Sequence, residues 1–264
     1  MKIPSIPHNE AERLSALQRY KVLDTLPEQE FDDLTKLAAA ICKTPIALIS
    51  LVDENRQWFK SRVGLSATET PRDISFCGHV VAEVSLLEVP DATKDNRFAD
   101  NPLVLDDPSI RFYAGAPLMT PDQYALGTLC VIDREPKKLT AQQIQQLEAL
   151  SRIVVSQLEL RRTTHENSQF LAAIVRSSGD AIITHTPEGQ ITSWNPSATQ
   201  LFGYTEPEAV GQSIAMLLPA HLLEEEADIM RSIQQGELVD HVETAYLSKN
   251  GSQLDVSITR MSLT

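Results

Sequence analysis

Apolar residues recur at helical spacing over residues 139–175, a stretch that contains neither proline nor glycine. Thr140 stands where a helix N-cap is expected, and most of the residues that follow favour a helix. Side chains spaced three to five positions apart would form one apolar stripe along it. The members of this stripe are Leu139, Ile144, Leu147, Leu150, Val154 and Leu158. The pattern predicts one long helix.

The apolar stripe thins between Arg161 and Ser168 and resumes at Phe170. A continuous helix of about 35 residues would be about 50 Å long at 1.5 Å per residue, more than one small module needs. We therefore expect a helix that joins two modules and carries a conformational signal between them. The alternative is a terminal helix on the first module followed by an unstructured linker.

Before this helix, residues 9–23 and 27–41 have the spacing of two amphipathic helices. Ile46–Val52 is a continuous apolar run, and Arg56–Val63 follows it across a polar turn, which predicts a hairpin. Further patterns predict a short helix and three strands at residues 75–84, 86–89, 110–119 and 124–133. Short turns between strands favour an antiparallel sheet with helices on one side, an α+β fold.

Beyond the long helix, a second α+β pattern begins. Asn195 is placed to cap a helix that starts at Pro196, because proline favours the first helical position. Gly203 is placed to end that helix. The other predicted elements are strands at 181–186, 190–193, 238–247 and 253–263, with helices at 206–210 and 222–235. We expect three parts: an N-terminal helical segment at 1–22, a module at 23–160 whose connecting helix starts at about 139, and a module at 161–264.

The first module contains a series of recognisable motifs in a fixed order. They include ALISLVDENRQWFKSRVGL, ISFCGHVV, DATKDNRFADNPLV, IRFYAGAPL and ALGTLCVIDREPKKLT. With these motifs, about residues 10–160 resemble a GAF domain, in particular the type found at the N-terminus of bacterial sensor histidine kinases and diguanylate cyclases.

The second module contains SSGDAIITHTPEGQITSWNPSATQLFGYTEPEAVGQSIAMLLP and ELVDHVETAYLSKNGSQLDVSIT. About residues 167–264 therefore resemble a PAS domain. A PAS domain has one more central strand after this hairpin, which the sequence lacks. We expect this module to be an incomplete part of a longer protein and to be marginally stable when made alone, because a missing strand leaves an unpaired sheet edge.

The net charge of −13 argues against a nucleic-acid-binding surface, which needs a basic stripe. No apolar run approaches the ~20 residues of a membrane-spanning helix. The first thirty residues lack the apolar core of a signal peptide. These features predict a cytoplasmic protein without nucleic-acid or membrane partners.

The three cysteines, Cys42, Cys77 and Cys130, are far apart and form no C-x-x-C pair, which disfavours structural zinc and a disulfide framework. Cys77 and His79 would point to different faces of a helix, so they are poor joint metal ligands. The resemblance implies that bilin attachment uses a cysteine followed directly by histidine, and Gly78 interrupts that pair. We predict no metal site and no covalent bilin.

Candidate ligand-binding residues of the first module are Trp58, Cys77, His79, Asp91, Arg97 and Arg111. Asp91, Arg97 and Arg111 suit an anionic ligand. The alternative is that they hold the long loop by salt bridges and turn hydrogen bonds. The loop at residues 95–101 matches the cyclic-nucleotide motif of GAF domains only in part.

In the second module the candidates are Trp194 and Phe202, which would line a small apolar pocket or belong to the core. No cysteine follows Cys130, so the flavin adduct of light-sensing PAS domains is excluded within this sequence. Haem-sensing PAS domains place a histidine where Glu226 stands, with His221 five residues earlier, which disfavours haem. The sequence identifies no cofactor.

Catalytic motifs are absent from the sequence: it has no nucleophile elbow, P-loop or His-Glu-x-x-His, and no kinase or cyclase signature. We therefore predict no catalytic residues and no enzyme activity for this region. The resemblance implies a signalling input region, whose output in the full-length protein is a histidine kinase or a diguanylate cyclase.

The expected mechanism is a ligand or redox change that shifts the connecting helix in a parallel homodimer. The predicted dimer seam is Leu147, Leu150, Val154 and Leu158. One alternative is a ligand-free dimerisation and docking module. Another is a GAF-type sulfoxide reductase using Cys77 and Cys130, which requires the two thiols to lie within disulfide-forming distance.

Overall fold

The computed structural model describes residues 1–223 and 239–260. The chain divides into two compact units, Met1–His165 and Glu166–Thr264. Most of the helix predicted over residues 222–235, together with Glu226 and the end of the last predicted strand, lies outside the described residues.

The first unit is built on a six-stranded antiparallel sheet with the strand order β3-β2-β1-β6-β5-β4. Its strands are β1 (Ile46–Val52), β2 (Arg56–Val63), β3 (Glu69–Pro71), β4 (Leu87–Val89), β5 (Phe112–Met119) and β6 (Ala125–Asp133). Its helices are α1 (Glu10–Arg19), α2 (Gln29–Cys42), α3 (Phe76–Glu83), α4 (Pro102–Leu105) and the first part of α5 (Ala141–Ser177).

Helices cover both faces of this sheet, which corrects the expectation that they lie on one side. Every residue of β1 is buried. Alternate residues such as Ile49 pack with α1, α2 and α5. Their neighbours, such as Leu48, pack with α3 on the opposite face. A continuous apolar strand such as Ile46–Val52 is typical of a sheet that is covered on both faces.

Helix α5 is one continuous helix of 37 residues, which confirms the predicted long helix and shows no break at residues 161–168. Thr140 caps its start, as predicted, by accepting a hydrogen bond from the Gln143 backbone N–H at 3.2 Å. The Gln143 side chain in turn accepts from the Thr140 N–H at 2.9 Å. This reciprocal pair is a capping box with glutamine in place of glutamate.

The stripe formed by Leu147, Leu150, Val154 and Leu158 is at most 5% exposed and belongs to the core of the first unit. It packs with α1 residues such as Leu17. These side chains therefore have no free surface for a second copy, which corrects the predicted dimer seam. An apolar stripe on a helix packs either against the core of its own domain or against a partner, and sequence periodicity alone does not distinguish the two.

After the end of α5, the described residues of the second unit contain four strands and two short α-helices, besides two 3-10 turns. They are β7 (Ile183–His185), β8 (Ile191–Trp194), α6 (Pro196–Phe202), α7 (Glu206–Ala209), β9 (Val239–Leu247) and β10 (Gln253–Arg260). The strands pair as two antiparallel hairpins, β7 with β8 and β9 with β10. Asn195 caps α6 through the Ala198 N–H at 2.9 Å, and Gly203 ends it with φ 82°, both as predicted.

A buried ammonium group connects the sheet to α5. Register between β1 and β2 shifts between Phe59 and Ser61, so Lys60 is the extra residue of a β-bulge. Its side chain is fully buried, and its ammonium donates to Thr25 Oγ1 at 2.9 Å, Leu26 O at 2.8 Å and Glu28 Oε1 at 2.5 Å. All three ammonium donors therefore have acceptors.

Glu28 also accepts from Arg161 of α5, whose Nε lies 3.0 Å from Glu28 Oε1. Partial burial opposes ionisation of Glu28, but the hydrogen bonds and charges of Lys60 and Arg161 outweigh it and lower its pKa. Glu28 thus joins a strand residue and a connecting-helix residue through one carboxylate. We refer to Glu28, Lys60 and Arg161 as the charge bridge.

The substitution Glu28→Gln should destabilise the protein by about 2 kcal/mol, because it leaves a buried ammonium without its charged partner. The folded-state pKa of Glu28 is lowered, so its contribution is present above the ordinary value of 4.5 and is lost as the pH falls. Urea unfolding of both proteins at several pH values measures this difference, which should shrink toward acid.

The matched control is Asp33→Asn, in α2, the helix that begins directly after Glu28. It removes an exposed carboxylate whose Oδ1 lies 3.5 Å from Lys36 Nζ. Exposed pairs contribute little, so the loss should be under about 0.5 kcal/mol. Equal losses for the two substitutions would contradict the role assigned to the charge bridge.

Candidate functional site

A cavity of about 180 Å³ lies in the first unit, on the face of the sheet that carries α3. Its walls are mostly apolar and come from strands, from α3 and from the segment before β5. Representative wall residues are Ile46, Leu48, Phe59, Phe76, Leu103 and Ile110. The exposed residues Ser66 and Ala67 lie at its rim. A cavity of this volume suits a small molecule with a largely apolar surface.

A cluster of polar side chains surrounds Cys77, which lines the cavity. Cys77, on α3, has its sulfur 3.1 Å from the Thr128 hydroxyl and 3.4 Å from the Tyr113 hydroxyl, both of which donate to it. Cys130 Sγ lies 3.8 Å from Cys77 Sγ. We call these four residues the thiol cluster. Thr128 and Cys130 lie two residues apart in β6, so their side chains face the same side of the sheet.

Further polar side chains come from the neighbouring strands β1 and β2 and from β3. The Gln57 amide donates to Thr70 Oγ1 at 2.7 Å, and the Ser50 hydroxyl lies 3.4 Å from Gln57 Oε1. Gln57 and Thr70 line the cavity as well. No lysine or arginine lines it among the described residues; its one ionisable carboxylate is that of Asp107. The site therefore offers hydrogen bonds without a positive charge.

The thiol cluster favours a thiolate at Cys77. Burial raises the pKa of a thiol, but the hydrogen bonds donated by Cys130, Thr128 and Tyr113 favour the charged sulfur and lower the pKa of Cys77 to about 6. The hydrogen bond to Cys77 and burial raise the pKa of Cys130 well above its ordinary value. Both hydroxyl donors act on the Cys77 sulfur, so negative charge is favoured on Cys77 over Cys130.

Gly115 makes room for the Tyr113 hydroxyl. Both residues are in β5 two positions apart, and a Cβ on Gly115 would lie 2.2 Å from Tyr113 Oη. The tyrosine ring therefore lies along the strand over a position that has no side chain, and its hydroxyl reaches Cys77. Glycine is needed at position 115 because a larger side chain would collide with the tyrosine, not because the backbone there is unusual.

Of the predicted candidates in the first module, Cys77 lines the cavity. Trp58 does not: it packs on the opposite face of the sheet, with α1, α2 and α5. Its neighbours Gln57 and Phe59 line the cavity instead, because successive residues of a strand face opposite ways. Placing Trp58 in the pocket is therefore wrong.

His79 is buried against the ring edge of Phe98, with ring centroids 4.9 Å apart. Its Nε2 lies 3.1 Å from the Lys2 carbonyl oxygen, and burial lowers its pKa. It is not among the residues that line the cavity. His79 thus anchors the N-terminal segment to α3.

The charged candidates Asp91, Arg97 and Arg111 lie in contacts that hold the long loop. Asp91 accepts from the Thr93 N–H at 3.1 Å. Arg97 pairs with Asp95 at 2.8 Å. Arg111 donates to carbonyl oxygens of the loop, the nearer at 2.8 Å. None of the three lines the cavity, and their contacts match the loop-holding alternative.

Trp194 and Phe202 lie in the core of the second unit, with ring centroids 5.7 Å apart. The Trp194 indole N–H donates to Thr199 Oγ1 at 3.0 Å. Both side chains are buried, so they fill the core rather than open a pocket at this place.

Sequence reasoning missed Gln57, Tyr113 and Thr128. A signal was available for part of the site: Ser50 and Thr128 are polar residues inside otherwise apolar strands. A buried polar side chain costs free energy unless it is hydrogen-bonded, so such positions mark either a network or a site. Among the described residues, no group of three His, Cys, Asp or Glu side chains is placed to hold a metal ion.

Two family models match the chain. The GAF domain model matches residues 26–158, and the PAS domain model matches residues 179–263. The chain belongs to the GAF domain family. It carries a PAS domain after the GAF domain, and this arrangement gives the chain a role in signal input. Within the described residues, no helix combines the length and the apolarity needed to cross a bilayer.

A curated relative is a cyclic di-GMP phosphodiesterase of Pseudomonas aeruginosa, 41% identical over 166 residues. The match covers 62% of this chain but 28% of the relative, so the chain spans little more than a quarter of that protein's length.

Solved structures similar to this chain include two GAF domains. One, from an Acinetobacter phosphoenolpyruvate-protein phosphotransferase, is 17% identical with a TM-score of 0.44, and the match covers 59% of this chain and 98% of that one. The other, from PixJ of Thermosynechococcus elongatus, is 15% identical with a TM-score of 0.45, covering 66% and 99%.

The substitution Gly115→Ala should displace the Tyr113 hydroxyl from Cys77 and destabilise the GAF domain by about 2 kcal/mol, as overpacking of a buried site does. Loss of one donor should also raise the pKa of Cys77 above its value of about 6. Chemical denaturation measures the first effect, and the pH dependence of Cys77 alkylation measures the second.

Gly179→Ala is the matched control, since a Cβ there meets no atom within 4 Å. It should change stability by less than about 0.5 kcal/mol. A Gly115→Ala protein as stable as wild type, with unchanged alkylation, would contradict the steric role of Gly115.

Proposed function

We propose that this chain is the sensory input region of a cyclic di-GMP signalling protein and that its GAF cavity binds a small, uncharged, largely apolar ligand. The observation that carries the proposal is the cavity itself: its walls are mostly apolar, they include a few hydrogen-bonding side chains, and no lysine or arginine of the described part of the chain lines them. A ligand of this kind needs burial and a few directed hydrogen bonds rather than a counter-charge.

The charge bridge supports a route from the cavity to α5. Phe59 lines the cavity, and the next residue, Lys60, faces the opposite side of the sheet. Lys60 is bound to Glu28, and Glu28 is bound to Arg161 of α5. A ligand that displaces Phe59 also moves a bulged residue, and a bulge is a place where a strand bends. The proposed signal is a shift in the position of α5 against the sheet.

We further propose that α5 pairs with the same helix of a second copy through its outer face. Ile153, Leu160 and Ile174 fall at multiples of seven and are 45–59% exposed. Asn167 occupies the heptad position between Leu160 and Ile174. Phe170, three residues after Asn167, is 65% exposed. The column of Ile153, Leu160 and Ile174 with one polar member, Asn167, supports a parallel two-stranded coiled coil whose register is set by the polar position; the second column holds Ser156 and Thr163 before Phe170.

The outer face lies opposite the residues buried in the GAF core. In the same heptad frame, Leu147, Val154 and Leu158 fall on positions away from the proposed seam. One helix can therefore serve its own domain with one face and a second copy with the other. The proposed outer seam replaces the seam predicted from sequence. We also propose a cytoplasmic location for the protein.

The proposed output is cyclic di-GMP turnover in a part of the protein beyond this chain. The relative named as a cyclic di-GMP phosphodiesterase supports it at 41% identity over 166 residues. A histidine kinase output has no comparable support, although both outputs suit a GAF–PAS input region.

Leu160→Glu and Ile153→Glu should convert a dimer into a monomer, because a coiled-coil seam does not tolerate paired carboxylates. Sedimentation equilibrium measures the mass. The control is Ala172→Glu, which places the same charge on an exposed position outside the heptad seam. A wild-type chain that sediments as a monomer, or a seam variant that remains a dimer, would contradict the proposed pairing.

Native mass spectrometry of protein purified from cells tests the ligand. The expected result is a small adduct, released on denaturation and neutral at pH 7. Ala67→Trp, which fills the exposed rim of the cavity, should abolish the adduct, whereas Ala172→Glu should keep it. An adduct that carries a phosphate, or one that persists in the rim variant, would count against the proposal.

A further inference from the structure

Cys77 and Cys130 are separated by 53 residues in sequence but form a close pair of thiols in the GAF domain. Their sulfurs are 3.8 Å apart, and both thiols are free. Two observations make this pair more than core packing. The Cys77 sulfur receives two hydroxyl hydrogen bonds besides its contact with Cys130, and Cys77 lines the cavity while Cys130 does not.

The cavity gives small molecules a path to one sulfur of the pair. Cys77 is 2% exposed to bulk solvent and Cys130 is fully buried. Large thiol reagents are therefore excluded, whereas a hydroperoxide as small as hydrogen peroxide fits within about 180 Å³. An oxidant that enters the cavity meets the Cys77 sulfur first, and Cys130 lies directly behind it.

The surroundings of the two sulfurs differ in a way that suits two successive reactions. Donors from Thr128 and Tyr113 stabilise negative charge on Cys77, which makes it the attacking sulfur. Cys130 sits in the middle of β6, paired to β1 at Leu48 and to β5 at Gly115, so its position is held by the sheet. Cys77 lies on the eight-residue helix α3, which is free of such pairing.

We propose that Cys77 and Cys130 are a redox-sensitive dithiol, oxidised to a disulfide by a small hydroperoxide that enters through the cavity. The Cys77 thiolate attacks one peroxide oxygen, the O–O bond breaks, and Cys77 becomes a sulfenic acid while hydroxide leaves and takes up a proton as water. The Cys130 sulfur then attacks Cys77 Sγ, the S–S bond forms, and the sulfenic hydroxyl leaves with the Cys130 proton as a second water. The thiols lose two electrons and the peroxide gains them.

Bond formation requires the sulfurs to approach from 3.8 Å to a disulfide length of about 2.05 Å. Since the sheet holds Cys130, the movement falls on α3 and draws it toward β6. Phe76, the residue before Cys77, lines the cavity and stacks on Phe98 with ring centroids 3.9 Å apart. Oxidation therefore changes the shape of the cavity, and a dithiol reductant restores it by exchange. This inference concerns the thiols and does not depend on the ligand proposed above.

The test is treatment of the whole chain with hydrogen peroxide, followed by intact mass and peptide mapping without reductant. The expected product is a chain that has lost two hydrogen atoms, carries a Cys77–Cys130 crosslink and is restored by dithiothreitol. Cys42→Ser is the matched control, because Cys42 is buried in α2 and burial raises its pKa to about 11. It should form the same crosslink at the same rate.

Two variants test the assigned order of events. Cys130→Ser should stop at the sulfenic acid, which a small dione trapping reagent labels at Cys77. Thr128→Val removes one donor without changing side-chain volume and should slow oxidation about tenfold. Circular dichroism checks that each variant is folded.

Three results would overturn the proposal. The first is a folded wild-type chain whose two thiols are both intact after peroxide treatment, and the second is a Cys77→Ser variant in which Cys130 forms a sulfenic acid at the wild-type rate. The third is a crosslink that forms with free methionine sulfoxide but not with peroxide. The last result would instead assign these thiols to a sulfoxide reductase.

Discussion

Burial of both faces of the six-stranded sheet is the constraint on which the first unit depends. Every residue of β1 is buried, so this strand separates two cores that differ in content. One core packs against α1, α2 and α5, and the other surrounds the cavity. Adjacent residues of one strand, such as Phe59 and Lys60, therefore belong to different environments while sharing a peptide bond. The route proposed from the cavity to α5 therefore needs no long chain of contacts, because it passes between neighbouring residues of one strand.

Two polar groups buried in these cores each have several hydrogen-bond partners. The buried ammonium of Lys60 has three acceptors, and the sulfur of Cys77 has two hydroxyl donors. A buried polar group that lacks its partners costs free energy, so each set is sensitive to the loss of one member. Both sets lie at the sheet, one on each face. The cavity and α5 therefore lie on opposite faces of the same sheet, each next to one of these sets.

Much of the fold follows from residue patterns. The continuous helix over 139–175, its cap at Thr140, the strand at Ile46–Val52 and the cap at Asn195 all depend on local spacing and local hydrogen bonds, which sequence records directly. The same period did not reveal which side of α5 meets its own domain, because Leu147 and Val154 are spaced equally well for a core or for a partner. That choice depends on residues such as Leu17, which are distant in sequence.

The candidate site was harder to predict than the fold. Cys77 was identified, but its three hydrogen-bonding neighbours come from two strands, β5 and β6, that are distant in sequence, and only the folded sheet brings them to α3. Trp58 shows the opposite error: a large aromatic residue suggested a pocket, whereas the strand directs it away from one. Polar residues within apolar strands, such as Ser50 and Thr128, are better guides than aromatic residues to where such a site lies.

The unbroken course of α5 has a consequence for how such proteins can be recombined. Each residue added to an α-helix turns everything after it by about 100°. One inserted residue between Leu158 and Ile174 would rotate the distal apolar positions away from the line set by Ile153 and Leu160. In the proposed pairing of two α5 helices, changes in helix length are therefore restricted to whole heptads, and the spacing of the helix acts as a compatibility rule between the parts that it joins.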